Sequence, residues 1–367
     1  MVLTCSGTAS AHTAFDGNGV WVWYVSKSSG GNPDAIAARA RATGVNTVFV
    51  KSSDGTTWWP QFSRGLVSAM HARGIDVCAW QFVYGKRPSS EALLGRRAVK
   101  NGADCLVIDA ESQYEGRYSQ AATYVAKLRA GIGQDYPLGL AGFPYVDYHP
   151  GFPYSVFLGP GGAQYNLPQM YWADIGVTVD QVFAHTYAYN SLYGRPIYPL
   201  GQLYGKAKPA DVLYFRELAR DYGAAGMSWW SWQSSPSKSW RALAKPITTF
   251  AQEPPPPNTA PTLARKSRGD LVVWAQQHLV AAGQPVKIDG VFGSSTVNAV
   301  LAFQAASGLP VTGLIDPATW GALLAYQPAP ARWSRFKSSA KAVSAAGLSA
   351  PRSAHLPAVR DEINPPH

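Results

Sequence analysis

Asp109 and Glu111 lie two residues apart at the end of an apolar run, Cys105-Leu106-Val107-Ile108. In an extended strand, residues i and i+2 point to the same face, so the two carboxyl groups project together. Paired carboxyl groups at the carboxyl end of a buried strand suit glycosidic-bond hydrolysis, in which one stays protonated as the acid and the other stays ionised. The structural alternative gives one of them to a helix cap and the other to an ion pair, a use such residues also serve. Other chemistries find less support. His12, His71, His149, His185 and His278 show no paired spacing, so no catalytic zinc is expected. No G-x-S-x-G elbow supports Ser-His-Asp hydrolysis. Gly159-Pro160-Gly161-Gly162 has no helix-plus-lysine context and reads as a loop rather than a phosphate cradle. Neither a metal nor another cofactor is expected.

Eight strand-like runs could position the pair: Val20–Val25, Asn46–Lys51, Ile75–Phe82, Cys105–Asp109, Leu138–Phe143, Gln169–Trp172, Ile197–Gln202 and Gly226–Trp232. Helical stretches fall between them, at Pro33–Thr43 (with Asn32 as its cap), Gly65–Arg73, Ser90–Asn101, Ser119–Ala130 and Ala210–Tyr222. Strands alternating with helices over residues 1–250 predict an α/β fold, a closed (β/α)8 barrel of the TIM type. A doubly wound open sheet competes, but no G-x-G-x-x-G turn supports it.

Residues 251–262 contain the tract Glu253-Pro254-Pro255-Pro256-Pro257-Asn258, expected to be an extended, semi-rigid linker. Residues 263–326 carry an internal repeat: Pro285-Val286, Gly290, Gly293, Thr296 and Ala299 are echoed by Pro310-Val311, Gly313, Asp316, Thr319 and Ala322. Each copy is a glycine turn and a helix start, and Asp270–Ala282 forms an amphipathic helix before them. The expectation is a second, small three-helix domain. Residues 327–367 read as a flexible basic tail.

The chain has 367 residues, a formal charge of +10, 13 Trp and 19 Tyr, but only 15 % charged residues. Such a basic chain is drawn to polyanions: nucleic acid, anionic membrane or anionic cell wall. No nucleic-acid motif appears and its cations are scattered rather than striped, so nucleic acid is not an expected partner. No apolar run reaches the roughly 18 residues of a membrane span. Cys5, Cys78 and Cys105 are widely spaced with no metal pattern; Cys78 and Cys105 read as buried small hydrophobes, and no disulfide scaffold is expected. Met1–Phe15 lacks a charged region followed by a long apolar core, so no secretory signal is expected.

The small domain resembles the peptidoglycan-binding type 1 family. The resemblance rests on Ser267-Arg268-Gly269-Asp270, Val273, Gln276-Gln277-His278-Leu279, Asp289-Gly290-Val291-Phe292-Gly293-Ser294-Ser295-Thr296, Ala299-Val300, Phe303-Gln304, Gly308-Leu309, Thr312-Gly313 and Thr319-Trp320. It implies a wall-binding module with its groove near the two glycine turns, lined by Asp289, Phe292, Thr296 and Trp320.

The large domain is similar to the GH25-type muramidases (lysozymes). The matching segments are Val48-Phe49-Val50-Lys51-Ser52-Ser53-Asp54-Gly55-Thr56-Thr57, Val107-Ile108-Asp109-Ala110-Glu111, Pro168-Gln169-Met170-Tyr171-Trp172-Ala173-Asp174 and Ser228-Trp229-Trp230-Ser231-Trp232-Gln233-Ser234-Ser235. The resemblance implies Glu111 as general acid and Asp109 as its ionised partner. It also implies a substrate site drawn from Asp54, Tyr145, Asp147, Tyr171, Trp172, Asp174, Trp230, Trp232 and Gln233. One departure stands out: that family's first strand ends in an acid, G-x-D, whereas this one reads Gly19-Val20-Trp21-Val22-Trp23-Tyr24-Val25-Ser26.

Together these features lead to the expectation of a peptidoglycan glycosidase, most simply a muramidase, acting at the bacterial cell wall. It would be released by lysis or a holin, or carried on a phage-like particle beside other virion proteins. The missing first-strand acid keeps open a catalytically silent wall-binding component of such a particle, and a barrel acting on another wall glycan.

Overall fold

The computed structural model describes residues 13–247 and 259–333. The readings of residues 1–12, of the proline tract and of the tail beyond residue 333 lie outside the described residues.

Among the described residues, nine strands form one sheet: β1 Gly17–Val22, β2 Thr47–Asp54, β3 Thr57–Trp58, β4 Asp76–Val83, β5 Cys105–Ala110, β6 Leu138–Ala141, β7 Tyr165–Asn166, β8 Leu200–Gln202 and β9 Gly226–Trp230. Their order is β7-β6-β5-β4-β2-β1-β9-β8, with every pair along this path parallel. The two ends of the path meet through parallel bridges, Asn166 to Ile197 and Gln169 to Leu200, which draw the sheet into a barrel. The short β3 folds back antiparallel on β2 and forms a lip at the mouth.

Period-2 alternation sorts each strand. On β5, Leu106, Ile108 and Ala110 pack outward under the helices, while Cys105 and Val107 fill the interior with Trp21, Phe49, Trp80 and Phe82. The outer helices include Pro33–Ala42, Arg64–His71, Pro88–Lys100, Tyr118–Ile132, Val179–Asn190 and Pro209–Asp221. Asn32 caps the first as its sequence position predicts, its side chain accepting from the N–H groups of Asp34 and Ala35.

Two expectations need correction. The strand expected at Gln169–Trp172 lies instead at Tyr165–Asn166, β7. Pro168 has no N–H to give to a ladder, and the N–H groups of Tyr171 and Trp172 bond locally to the carbonyls of Gln169 and Met170. Trp172 then opens the short helix Trp172–Ile175. Cys78 and Cys105 are buried as expected, but they are joined in a disulfide. They sit directly opposite each other on β4 and β5, a pairing across 27 residues of sequence.

The small domain has helices at Asp270–Ala281, Ser294–Ala306 and Pro317–Leu323. Its internal repeat has a shared polar device. The Gln276 carboxamide oxygen accepts from the N–H groups of Asp289 and Gly290, and its nitrogen faces Asp289 Oδ1, Val291 O and Thr296 Oγ1, all at 3.1 Å. Gln304 does the same one repeat later, with Thr312 N, Gly313 N, Thr312 Oγ1, Leu314 O and Thr319 Oγ1. Asp316 caps the last helix through the Thr319 N–H, as expected.

This domain packs directly on the barrel. Trp274 Nε1 donates to Leu192 O at 2.7 Å, and Asp270 N to Pro150 O at 2.7 Å. Gly269 has φ +110°, and a Cβ there would stand 2.6 Å from Pro150, so the close approach requires glycine. Beyond the last helix, Ala329 bonds Gln277, and Trp333 stacks on Tyr118 of the barrel at 5.5 Å. Among the described residues no helix is long and apolar enough to cross a membrane.

Candidate active site at the barrel mouth

The carboxyl ends of β2, β4, β5 and β6 bring Asp54, Phe82, Asp109 and Ala141 to one level. Asp109 ends the inward face of β5 and is buried; Glu111 follows just past the strand and is half-buried. Gln169 ties the two together. Its Nε2 lies 3.2 Å from Asp109 Oδ1 and 3.3 Å from Glu111 Oε1, so one amide nitrogen fixes the relative position of both carboxyl groups. Gln169 reaches this place because its backbone bridges to Leu200 where the barrel closes.

Tyr171 stands beside the pair. Burial first, then Tyr204, Asp109, Glu111 and Asp174, push its phenol well above the ordinary tyrosine range, so it remains a hydrogen-bond donor at neutral pH. Asp174 accepts from Gln202 Nε2 at 2.8 Å and from the Tyr204 hydroxyl. Gln202 in turn accepts from the Ala173 N–H at 3.2 Å.

On the opposite side, β2 carries a bulge. Register shifts between Lys51 and Ser53, so that Lys51 pairs with Trp80 and Asp54 with Phe82. The extra residue turns Asp54 inward beside Lys51, which plain alternation forbids. Lys51 Nζ donates to Asp54 Oδ2 at 2.7 Å, and the Tyr84 hydroxyl donates to Asp54 Oδ1 at 2.8 Å. The Lys51 ammonium also lies 4.4–4.9 Å from the ring centroids of Trp59, Trp23 and Trp80. Although only 2 % exposed, this cation has an ionic partner and aromatic faces in place of water.

The structure therefore gathers Asp109, Glu111, Tyr171, Asp174 and Asp54 around one mouth. Trp230 lines the interior side, packed 5.5 Å from Trp80 and 5.7 Å from Trp23, and Gln233 Oε1 accepts from the Trp23 N–H. Other candidates go elsewhere. Trp172 is buried under the helices against Phe215, and Trp232 is buried edge-on to Trp240; neither ring offers a sugar a free face. Tyr145 is likewise buried in the outer layer, stacked on His185 at 3.9 Å. Asp147 joins that separate cluster, 2.7 Å from His185 Nε2.

In the small domain, Phe292, Thr296 and Trp320 are core residues, at most 1 % exposed, and do not line a groove. Thr296 is held by Gln276, and Trp320 Nε1 donates to Pro261 O. Asp289 is partly exposed beside the first glycine turn.

Gln169, Lys51, Tyr84, Gln202 and Tyr204 were missed as site residues. Gln169 and Lys51 stand inside the segments that carry the muramidase resemblance; Tyr84, Gln202 and Tyr204 lie just past or at strand ends, which is the only signal they give.

Residues 268–323 match the family described as "Putative peptidoglycan binding domain". No curated protein matches the chain in sequence. Among solved structures it is similar to the Burkholderia AP3 phage endolysin, at 44 % identity over 17 % of this chain and 24 % of that one, with a TM-score of 0.17. The chain thus spans about a quarter of that endolysin's length. It is also similar to the Bacillus cereus spore cortex-lytic enzyme SleL, at 10 % identity over 62 % of this chain and 73 % of that one, TM-score 0.47. A class V chitinase from Nicotiana tobaccum shows 10 % identity over 62 % of this chain and 98 % of that one, TM-score 0.48.

Proposed function

We propose that the barrel is a glycosidase that cleaves the glycan strands of peptidoglycan, most simply a muramidase, held at the bacterial wall by its peptidoglycan-binding domain. The observation that carries this reading is the Asp109–Gln169–Glu111 triangle at the carboxyl end of a closed barrel, where such enzymes keep their chemistry. Glu111, outside the strand and half-buried, donates its proton to the departing glycosidic oxygen. Asp109, buried and bonded to the Gln169 amide, stays ionised and stabilises the positive charge that develops at the anomeric carbon, either directly or through the sugar's acetamido group. Tyr171 and the Asp174–Gln202–Tyr204 cluster supply hydrogen bonds to sugar hydroxyls, and Trp230 an aromatic face.

Release of reducing sugar from purified peptidoglycan tests this directly. Glu111→Gln keeps the size and removes the acid; release is expected to fall by about 100-fold or more. Undiminished release would remove Glu111 from the mechanism. A second reading rests on the end of β1, where Trp23 and Tyr24 stand in place of an acid: the barrel binds glycan without cleaving it. That reading holds if neither protein releases sugar while both sediment with the wall.

A further inference from the structure

We propose that Trp23, Tyr24 and Trp59 form a separate stacking subsite on the β1–β2 side of the mouth, for an amino-sugar glycan that carries carboxylates. The inference rests on the barrel being a glycan-binding domain, but not on its cleaving the strand. All three rings are half-buried, in contrast to the sealed rings of Trp21 and Trp80 below them. Trp23 and Tyr24 lie parallel, 3° between planes with centroids 5.8 Å apart, and Tyr24 meets Trp59 at 5.2 Å. Flat, amphipathic rings with fixed orientation bind sugar faces at little entropic cost.

The fixing is visible in the bonds beneath the rings. Gln61 Nε2 donates to Trp23 O at 2.7 Å and to Lys51 O at 3.0 Å, while its Oε1 accepts from the Val25 N–H at 3.0 Å. One side chain thus joins the end of β1 to the end of β2. Lys51 then sits under both Trp23 and Trp59, itself held by Asp54.

Trp23 also touches Trp230, so the ring series runs from the rim into the mouth, across the barrel from Asp109 and Glu111. At the outer end the exposed Lys27 ammonium lies 4.7 Å over Tyr24. A surface cation there suits the lactyl and stem carboxylates of a muramic-acid glycan, which a neutral chitin strand lacks.

The test uses the full chain in the Glu111→Gln background. Calorimetry measures binding of two probes: a tetrasaccharide of alternating N-acetylglucosamine and N-acetylmuramic acid, and chitotetraose. Every variant keeps the wall-binding domain, so differences between them report the barrel. Trp59→Ala is expected to weaken both probes about tenfold or more, and Lys27→Ala to weaken only the acidic one, about threefold. With Glu111 intact, Trp59→Ala should raise KM while kcat changes little. Tyr24→Ala repeats the test if Trp59→Ala lowers the melting temperature. Affinities and KM within about twofold of the unsubstituted chain for both ring variants would overturn the subsite. Weakened binding in a chain that releases no sugar would keep the subsite and remove the hydrolase; full sugar release with unchanged affinities would do the reverse.

Discussion

Asp270 of the small domain and Ser155 of the barrel are bonded twice: Oδ1 accepts the Ser155 hydroxyl at 2.6 Å and Oδ2 the Ser155 N–H at 2.8 Å. The Tyr193 hydroxyl donates to the same Oδ2 at 2.8 Å, and Tyr118, under Trp333, also bonds this carboxylate. The wall-binding domain is therefore docked through a carboxylate sunk into the barrel, not merely tethered by a linker.

Burial pushes the Asp270 carboxyl up to about 6 from its ordinary 3.8, against the pull of the Ser155, Tyr193 and Tyr118 hydrogen bonds. The native state therefore binds more protons than the unfolded state between these values. The resulting stabilisation is complete below pH 3.8 and is lost as pH rises through about 6, a swing on the order of 3 kcal/mol. Asp270→Asn cannot titrate. Its melting temperature, followed from pH 4 to 8, should lose ground to wild type on acidification and run parallel to it above pH 7. Curves parallel throughout would show that Asp270 does not titrate in this range. Other carboxylates titrate in both proteins and cancel in the difference.

Gln169 supplies the next expectation. Gln169→Leu keeps the approximate volume and removes the amide that joins Asp109 to Glu111. The two carboxyl groups then lose their common anchor, and one of their donors, without loss of the barrel. Sugar release should fall in kcat by about 10- to 100-fold, with KM and melting temperature changing less. An unchanged kcat would show that the two carboxyl groups need no common donor.

Much of this arrangement is written locally. The D-x-E pair at the end of β5, the caps at Asn32 and Asp316, and the repeat around Gly290 and Gly313 each depend on neighbours in sequence, and each stands where local rules place it. What the sequence hides is register and side. The bulge after Lys51 turns Asp54 inward, and no residue in Ser52-Ser53 announces it. Pro168 keeps β7 upstream and leaves Gln169 free to reach the carboxylates. Cys78 meets Cys105 only because β4 and β5 pair in one register. Ring type is equally silent about side: Trp230 faces the mouth while Trp172 and Trp232 are sealed under the helices. In the small domain, the residues that mark the resemblance most clearly, Phe292, Thr296 and Trp320, mark its core and not its binding face.

That last point shapes the remaining prediction. Gln276 and Gln304 are buried, and each carboxamide bonds the glycine turn of its own repeat and the threonine of the following helix. Replacing Gln276 with Ala takes the acceptor from the Asp289 and Gly290 N–H groups, and replacing Gln304 takes the partner from the Gly313 N–H and the Leu314 carbonyl, at a cost of roughly 2–4 kcal/mol. Gln276→Ala acts on the turn at Gly290, where the partly exposed Asp289 stands, and Gln304→Ala on the turn at Gly313. Sedimentation with purified wall should fall in both, and more steeply if both are changed together. The barrel gives an internal control, because sugar release from a soluble glycan should persist when wall sedimentation is lost. Sedimentation unchanged in the double variant would place wall binding on a surface independent of the two turns.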